Sequence, residues 1–395
     1  MDAAGKKVLV ITRNFQTHAK QLTPTFLLRL LDKVQDRNII VISCDDTQYT
    51  EEYDFPVKRV PGFFHERSEA EISRLYMNLW EGRIRVSRSK ALFQRHYSLL
   101  RVTIEILPLL PKVKIIHWFE IFSPIASLLR FLSRFYGIKN YITLASLTPN
   151  LRFYNPLLRA SLCYFDQVVA TTLALKRFLE GIGFPSAKIR QIPLGVDLAA
   201  FKPRPEDRAT LKLSEGIDPE RKVVTWFGPI NPIKFKDFLQ LLNFAHVIDQ
   251  SIPCFFVFAF KYGLPLSIDR SLIGSNMKFV TPKSINKLLA ISDLAVLPFS
   301  DRNTILSPLT VIEALSSGVP VVATNLPGLD EIVSNRVSGV LVNRVNEIPH
   351  VVLELLTQEN RLATMSQYAR RVAEEKFDVN DTAKSYANLW KSGES

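Results

Sequence analysis

Apolar and polar positions along this chain alternate between two periods: short, nearly continuous apolar runs, and longer stretches with an apolar face of helical spacing. Lys7 to Thr12, Asn38 to Cys44, Val57 to Val60, Val113 to His117, Lys139 to Leu144, Asp166 to Thr171 and Lys188 to Ile192 have the length and β-branched content of strands. Between them, Thr23 to Val34 sets Phe26, Leu27, Leu30, Leu31 and Val34 on one side, and Pro156 to Tyr164 and Ala174 to Gly181 follow the same period. Strands that alternate with helices and are apolar on both faces predict a parallel, doubly wound sheet. The pattern breaks at Ile192-Pro-Leu-Gly-Val-Asp-Leu-Ala-Ala-Phe-Lys-Pro203, followed by the charged run Arg204 to Arg208, which reads as an interdomain linker. A second series then opens: strand Lys222 to Gly228, helix Phe235 to Ile248, strands Pro253 to Phe260 and Met277 to Val280, helix Ser284 to Ile291, and strand Leu294 to Phe299. Helices over 347–357, 359–376 and 381–391 close the chain.

Composition narrows this picture. A chain of 395 residues, 47% of them hydrophobic, is long enough for two or three separately packed domains. No apolar run approaches the roughly 18 residues of a membrane span, and Met1 to Lys7 leads into no signal-type segment, so a cytoplasmic location is expected. Cys44, Cys163 and Cys254 are widely spaced, and the last two sit in apolar segments, which predicts buried free thiols. The six histidines are scattered and there is no Asp-x-Asp, so no metal site is expected.

The net charge of +12 changes the picture more, because it is unevenly placed. Arg83, Arg85, Arg88, Lys90, Arg95 and Arg101 fall in a stretch without acids, and the five basic residues of 121–165 fall in another. Such runs read either as solvated helix faces or as a surface for an anionic acceptor or an anionic-lipid membrane. Phe122, Ile125, Leu128, Leu129, Leu132 and Phe135 form an amphipathic pattern beside Arg130 and Arg134, read here as a core helix rather than a surface-seeking one. Nucleic-acid binding would rest on the charge alone, since no reading motif accompanies it.

The most informative stretch is Ser307 to Val333, SPLTVIEALSSGVPVVATNLPGLDEIV. Ser307 suits a helix cap, Pro308 the first helical position, and Leu309, Ile312, Ala314 and Leu315 an apolar face, with Gly318 as the stop. Val319 to Ala323 is the next strand. A strand, a loop and a helix N-terminus in this order place backbone N–H groups at the carboxyl edge of a sheet, where phosphates bind.

These words resemble the carboxyl-domain signature of the retaining glycosyltransferases of family 4 (glycosyl transferases group 1), with a helix carrying Glu-Ala, then Gly-x-Pro-Val-Val-Ala-Thr and a second helix with Glu. The Ile-Pro-x-Gly-Val-Asp segment before Phe201 matches the end of the family's first domain. The resemblance implies an α/β protein of GT-B architecture, two doubly wound Rossmann-like domains facing across a cleft. A first, acceptor-side domain would span 1–198, a nucleotide-sugar domain 199–377, and a helix over 378–395 would cross back. It implies sugar transfer from a nucleotide donor with retention, a donor phosphate oxygen taking the acceptor proton, and no cofactor. Glu313 falls on the second acid of the family's glutamate pair, where it would receive the ribose hydroxyls, and Glu331 falls on the acid of the next helix. The N–H groups of Leu309 and Thr310, the Thr310 hydroxyl and Ser307 would face the diphosphate. Gly228 and Lys234 keep the family's glycine and lysine after the first strand of the second domain, with Lys261 as the next cation along.

The chain is a divergent member. Ile305 stands where the family has its first glutamate, Pro229 where it has an arginine, Pro308 where it has a phosphate-approaching glycine, and Ala145 and Ser146 where it has a histidine. The loop Arg13 to Pro24 lacks the usual glycine pair. Arg13, Lys20, Lys236, Lys261 and Arg302 stand as substitute cations. Two readings follow: a glycosyltransferase acting on an anionic or lipid-linked acceptor and touching a membrane surface, or a catalytically degenerate relative that binds a nucleotide sugar or a partner enzyme without turnover.

Overall fold

The computed structural model describes residues 7–12, 26–34, 38–43, 55–60, 101–119, 124–147, 154–228, 232–249, 251–260, 273–280, 284–299 and 305–393. The first layer set runs β1 (Lys7–Thr12), α1 (Phe26–Val34), β2 (Ile39–Ser43), β3 (Val57–Arg59), β4 (Val113–Phe119), α2 (Pro124–Phe135), β5 (Lys139–Leu144), β6 (Ser146–Leu147), α3 (Tyr154–Leu162), β7 (Gln167–Ala170), α4 (Leu173–Gly181) and β8 (Ile189–Gln191). Its parallel sheet has the order β3-β2-β1-β4-β5-β7-β8. The second runs α5 (Arg208–Ser214), β9 (Lys222–Gly228), α6 (Pro232–Asp249), β10 (Cys254–Phe260), β11 (Met277–Val280), α7 (Ile285–Ile291), β12 (Leu294–Leu297), β13 (Ile305–Leu306), α8 (Leu309–Ser316), β14 (Val321–Thr324) and β15 (Gly339–Val342). Helices α9 (Ile348–Thr357), α10 (Glu359–Lys376) and α11 (Val379–Ser392) follow. This second sheet is also parallel, in the order β11-β10-β9-β12-β14-β15. Strands such as Val223 to Phe227 and Val321 to Thr324 are buried throughout because helices cover both faces of each sheet.

The chain passes between the two halves at neighbouring points. Val196 N–H donates to Phe377 O at 2.8 Å and Val379 N–H to Val196 O at 3.1 Å, so the linker and the returning segment lie side by side. Gly195 permits this: a Cβ there would lie 2.6 Å from Val379 Cα and 2.5 Å from Thr382 Oγ1. From this crossing α11 returns to the first domain, burying Ala383, Tyr386, Leu389 and Trp390 with Val8, Val10 and Ile115.

A buried polar chain fixes how that helix docks. Trp390 Nε1 donates to His117 Nδ1 at 2.8 Å, His117 Nε2 meets Thr143 Oγ1 at 2.9 Å, and Thr143 Oγ1 meets the Tyr386 hydroxyl at 2.9 Å. An indole N–H only donates, so Nδ1 is the acceptor, the proton sits on Nε2, and His117 is neutral. Burial pushes its pKa from the ordinary 6.5 down to about 3.

Three expectations are corrected here. Cys163 is exposed, its thiol donating to Ala160 O, while Cys254 is buried. The faces of α2 also differ from the expected pattern: Phe135 is 73% exposed, whereas Arg130 is buried against the Phe165 ring and donates to Ser161 O at 2.9 Å. An arginine stem packs like an aliphatic chain and its planar head stacks on an aromatic face, so its charge alone does not decide which way it points. Finally, the segment after β14 that carries Glu331 is a run of turns rather than a helix.

Candidate functional site

Strand order locates the site. In the second sheet, successive strands run outward from β9 to β10 and β11 on one side, and from β12 to β14 and β15 on the other, so the winding reverses between β9 and β12. A crevice must open beyond the carboxyl ends of those two strands. There Trp226, Phe227 and Gly228 of β9, Leu297 at the end of β12, Pro298 and Phe299 just beyond it, and Thr310 of α8 line a small pocket. Phe299 N–H donates to Thr324 Oγ1 at 3.2 Å, which ties the end of β12 to the neighbouring β14. Gly228 turns out of its strand at φ 155°, a value that side-chain-bearing residues rarely adopt, and a Cβ there would meet nothing within 4 Å. The glycine is thus required by conformation rather than by space.

Helix α8 starts one residue later than expected. Pro308 is its N-cap, extended at φ −75° and ψ 113°, and neither Pro308 nor the buried Ser307 caps it through a side chain. Pro308 therefore removes no N–H from the helix end, and no described residue accepts from the backbone N–H groups of Leu309 or Thr310. Gly318, at φ 69°, ends the helix as expected, with Val319 N–H returning to Ala314 O at 2.9 Å. The carboxyl end is held from outside by Arg370, whose Nη1 donates to Ser316 O at 2.6 Å and to the linker carbonyls of Phe201 and Leu198 at 2.7 and 3.2 Å.

Glu313 lies one turn in from Thr310 on the same face. It is 7% exposed, and its Oε1 pairs with Arg29 Nη1 of α1 at 3.4 Å, so the expected ribose acid is held by a cation from the first domain. Nothing in the sequence pattern marks Arg29, which sits off the apolar face of α1. Glu331 lies elsewhere on the domain seam. Its two oxygens accept from Leu173 N–H and Ala174 N–H at 2.6 and 2.7 Å, capping α4 of the first domain, beside a close approach of Gly328 to Thr172.

Two of the departures noted in the sequence turn out to lie in one ladder. Ile305 and Leu306 form β13, which pairs antiparallel with β6 of the first domain, Ile305 opposite Leu147 and Leu306 opposite Ser146. Ser307 N–H extends the ladder to Ala145 O at 3.2 Å. Ile305 is buried in the first domain's core, so an apolar residue in place of the family's acid serves as a clasp between domains. The signal for this was the substitution itself.

Lys234 and Lys236 lie in the first turns of α6, with side chains outside the described structure. Arg13, Lys20, Pro229, Lys261 and Arg302 lie outside the described residues, as do Phe122 and the basic residues from Arg83 to Arg95. Among the described residues no group of three side chains could hold a metal ion, and no helix is long and apolar enough to cross a membrane.

Two parallel, doubly wound domains joined by a linker, with a terminal helix crossing back and a pocket at the switch point of the second, define the GT-B class. The structure superposes on sucrose-phosphate synthase of Thermosynechococcus elongatus with a TM-score of 0.74 (15% identity, 98% of this chain and 99% of that one). It superposes on Anabaena HepE in complex with UDP-glucose with a TM-score of 0.70 (17% identity, 98% and 100%). Residues 25–200 match the family model described as Glycosyltransferase Family 4, and residues 261–372 the one described as Glycosyl transferases group 1. The chain belongs to this glycosyltransferase family. It is similar to the D-inositol 3-phosphate glycosyltransferases of Rhodococcus erythropolis (32% identity over 227 residues, 53% of this chain and 50% of the relative) and Mycobacterium marinum (32% over 164 residues, 40% and 34%). The chain spans about half the length of curated relatives it matches.

Proposed function

We propose that this protein transfers a sugar from a nucleotide-sugar donor to an acceptor, with retention of anomeric configuration. The observation that carries the reading is the pocket at the β9/β12 switch point, lined by Gly228 and by Thr310 from the first turn of α8. Cleaving the bond between the anomeric carbon and the diphosphate leaves negative charge on the diphosphate. The N–H groups of Leu309 and Thr310, the Thr310 hydroxyl and the Lys234 ammonium are assigned to receive it, with Lys261 as the next candidate. The acceptor oxygen bonds to the anomeric carbon on the face the diphosphate leaves, and its proton passes to the departing phosphate oxygen, so no protein base is needed. Glu313 accepts from the two ribose hydroxyls. The UDP-glucose complex of HepE supports a nucleotide sugar as donor.

The acceptor is assigned to the basic first domain. The name of the inositol-phosphate relatives supports an anionic acceptor. A lipid-linked one is supported by the end of α2, where Phe131, Phe135 and the following Tyr136 are exposed around Arg134 as a membrane-surface contact would be. A thermal-shift screen of uridine, guanosine and adenosine diphosphates tests the donor site, because a ligand of the native state must stabilise it, and no shift with any would refute it. The clasp at Ile305 favours a second reading, binding without turnover. Donor hydrolysis or transfer by the purified protein excludes that reading.

A further inference from the structure

We propose that Arg29, in the first domain, is a positioning residue of the donor site. It orients the Glu313 carboxylate for the ribose, and so makes donor affinity depend on how the first domain is seated. The inference rests on the donor-site reading above and deepens it.

The two residues are 284 positions apart in the chain, yet Arg29 Nη1 reaches Glu313 Oε1 at 3.4 Å, with both residues 7% exposed. Burying a carboxylate demands a compensating cation. Helix α8 supplies none: the positions within one turn of Glu313 are Leu309, Thr310, Ser316 and Ser317. The guanidinium is itself braced, lying 4.9 Å from the ring centroid of Phe201, a fully buried residue at the end of the linker. The Phe201 carbonyl is bound by Arg370, which also holds the end of α8 through Ser316 O. First-domain helix, linker and donor helix thus meet at one ion pair.

A glutamate in mid-helix has three side-chain torsions to settle before it can receive two hydroxyls at once. The Arg29 guanidinium, braced on Phe201 and reaching one carboxylate oxygen through Nη1, biases that orientation in advance. Because this contact comes from the other domain, a shift of α1 relative to α8 removes one hold on the carboxylate and weakens the donor site without touching the diphosphate pocket.

The test is calorimetric titration of the full chain with uridine, guanosine and adenosine diphosphates, comparing wild type with Arg29→Ala, Arg29→Lys, Glu313→Gln and the Arg29→Ala/Glu313→Gln double variant. Arg29→Ala is expected to weaken binding of whichever nucleotide the wild type takes by on the order of tenfold, the scale of one charge-assisted hydrogen bond. Arg29→Lys should recover part of the loss. The double variant should bind no more weakly than Glu313→Gln alone, because Arg29 acts through Glu313. A merely structural arginine would lower the melting temperature and leave the affinity of the folded protein unchanged. A folded Arg29→Ala with wild-type affinity, or losses that add in the double variant, overturns the proposal while leaving the donor-site reading intact. If Arg29→Ala does not fold, Arg29→Gln takes its place and wild-type affinity there has the same meaning. A wild type that binds none of the three nucleotides overturns both.

Discussion

Ile305 offers the most direct perturbation of the domain seam. It is 6% exposed, stands opposite Leu147 in the two-stranded ladder, and packs in the first domain's core although it precedes α8 of the second. Fully burying an Ile side chain stabilises by about 1.5–3 kcal/mol, and truncation to Ala adds the cost of the cavity left behind. Because the seam between two domains can close over a small void better than a rigid core can, Ile305→Ala is expected near the low end, about 2 kcal/mol. Ile305→Glu restores the family's acid in name but places a carboxylate against Leu147, an unpaired buried charge costing several kcal/mol, so the ladder should part instead. Urea unfolding measures the first effect. Hydrogen exchange measures the second, at the Ser307 amide that donates to Ala145 O. In Ile305→Glu its protection should fall steeply while the β9 amides paired with β10 stay protected. Unchanged Ser307 protection in Ile305→Glu, or an Ile305→Ala stability within about 0.5 kcal/mol of wild type, would refute the clasp.

Other outcomes follow from the same structure. Lys234→Ala should lower kcat on the order of a hundredfold, as loss of one preorganised charge-stabilising donor does, whereas Glu313→Ala should mainly raise donor KM, on the order of tenfold. Steady-state kinetics separate the two, and a Lys234→Ala with normal turnover would move the role to Lys261. Because folding depresses the His117 pKa to about 3, its contribution is complete above the ordinary 6.5 and is lost as pH falls through that interval. Stability measured at pH 7 and pH 4 should therefore fall in wild type by up to about 3 kcal/mol more than in a folded His117→Gln variant, and parallel pH curves would contradict this. Gly195→Ala should loosen α11, since the new Cβ would lie 2.6 Å from Val379 Cα, and limited proteolysis near residue 378 would detect it. Co-sedimentation with vesicles should require anionic lipid and weaken with salt if α2 meets a membrane, and equal recovery with neutral lipid would argue against the basic residues.

The local grammar of the chain was legible without coordinates. Lys139–Leu144, Lys222–Gly228 and Met277–Val280 are strands with the predicted bounds, and the first two are buried along nearly their whole length, as strands covered on both faces are. Gly318 ends α8 because a left-handed position favours glycine whatever surrounds it. The words around Glu313 sufficed to place a helix N-terminus at a sheet edge. Tertiary structure decided what those words touch. Arg29 meets Glu313, Glu331 caps a helix of the other domain, and Ile305 sits opposite Leu147, all across separations of more than 150 residues that no periodicity spans. Arg130 is inside and Phe135 outside for the same reason: helical spacing fixes which residues share a face, while the neighbours packed against that face determine whether it is buried.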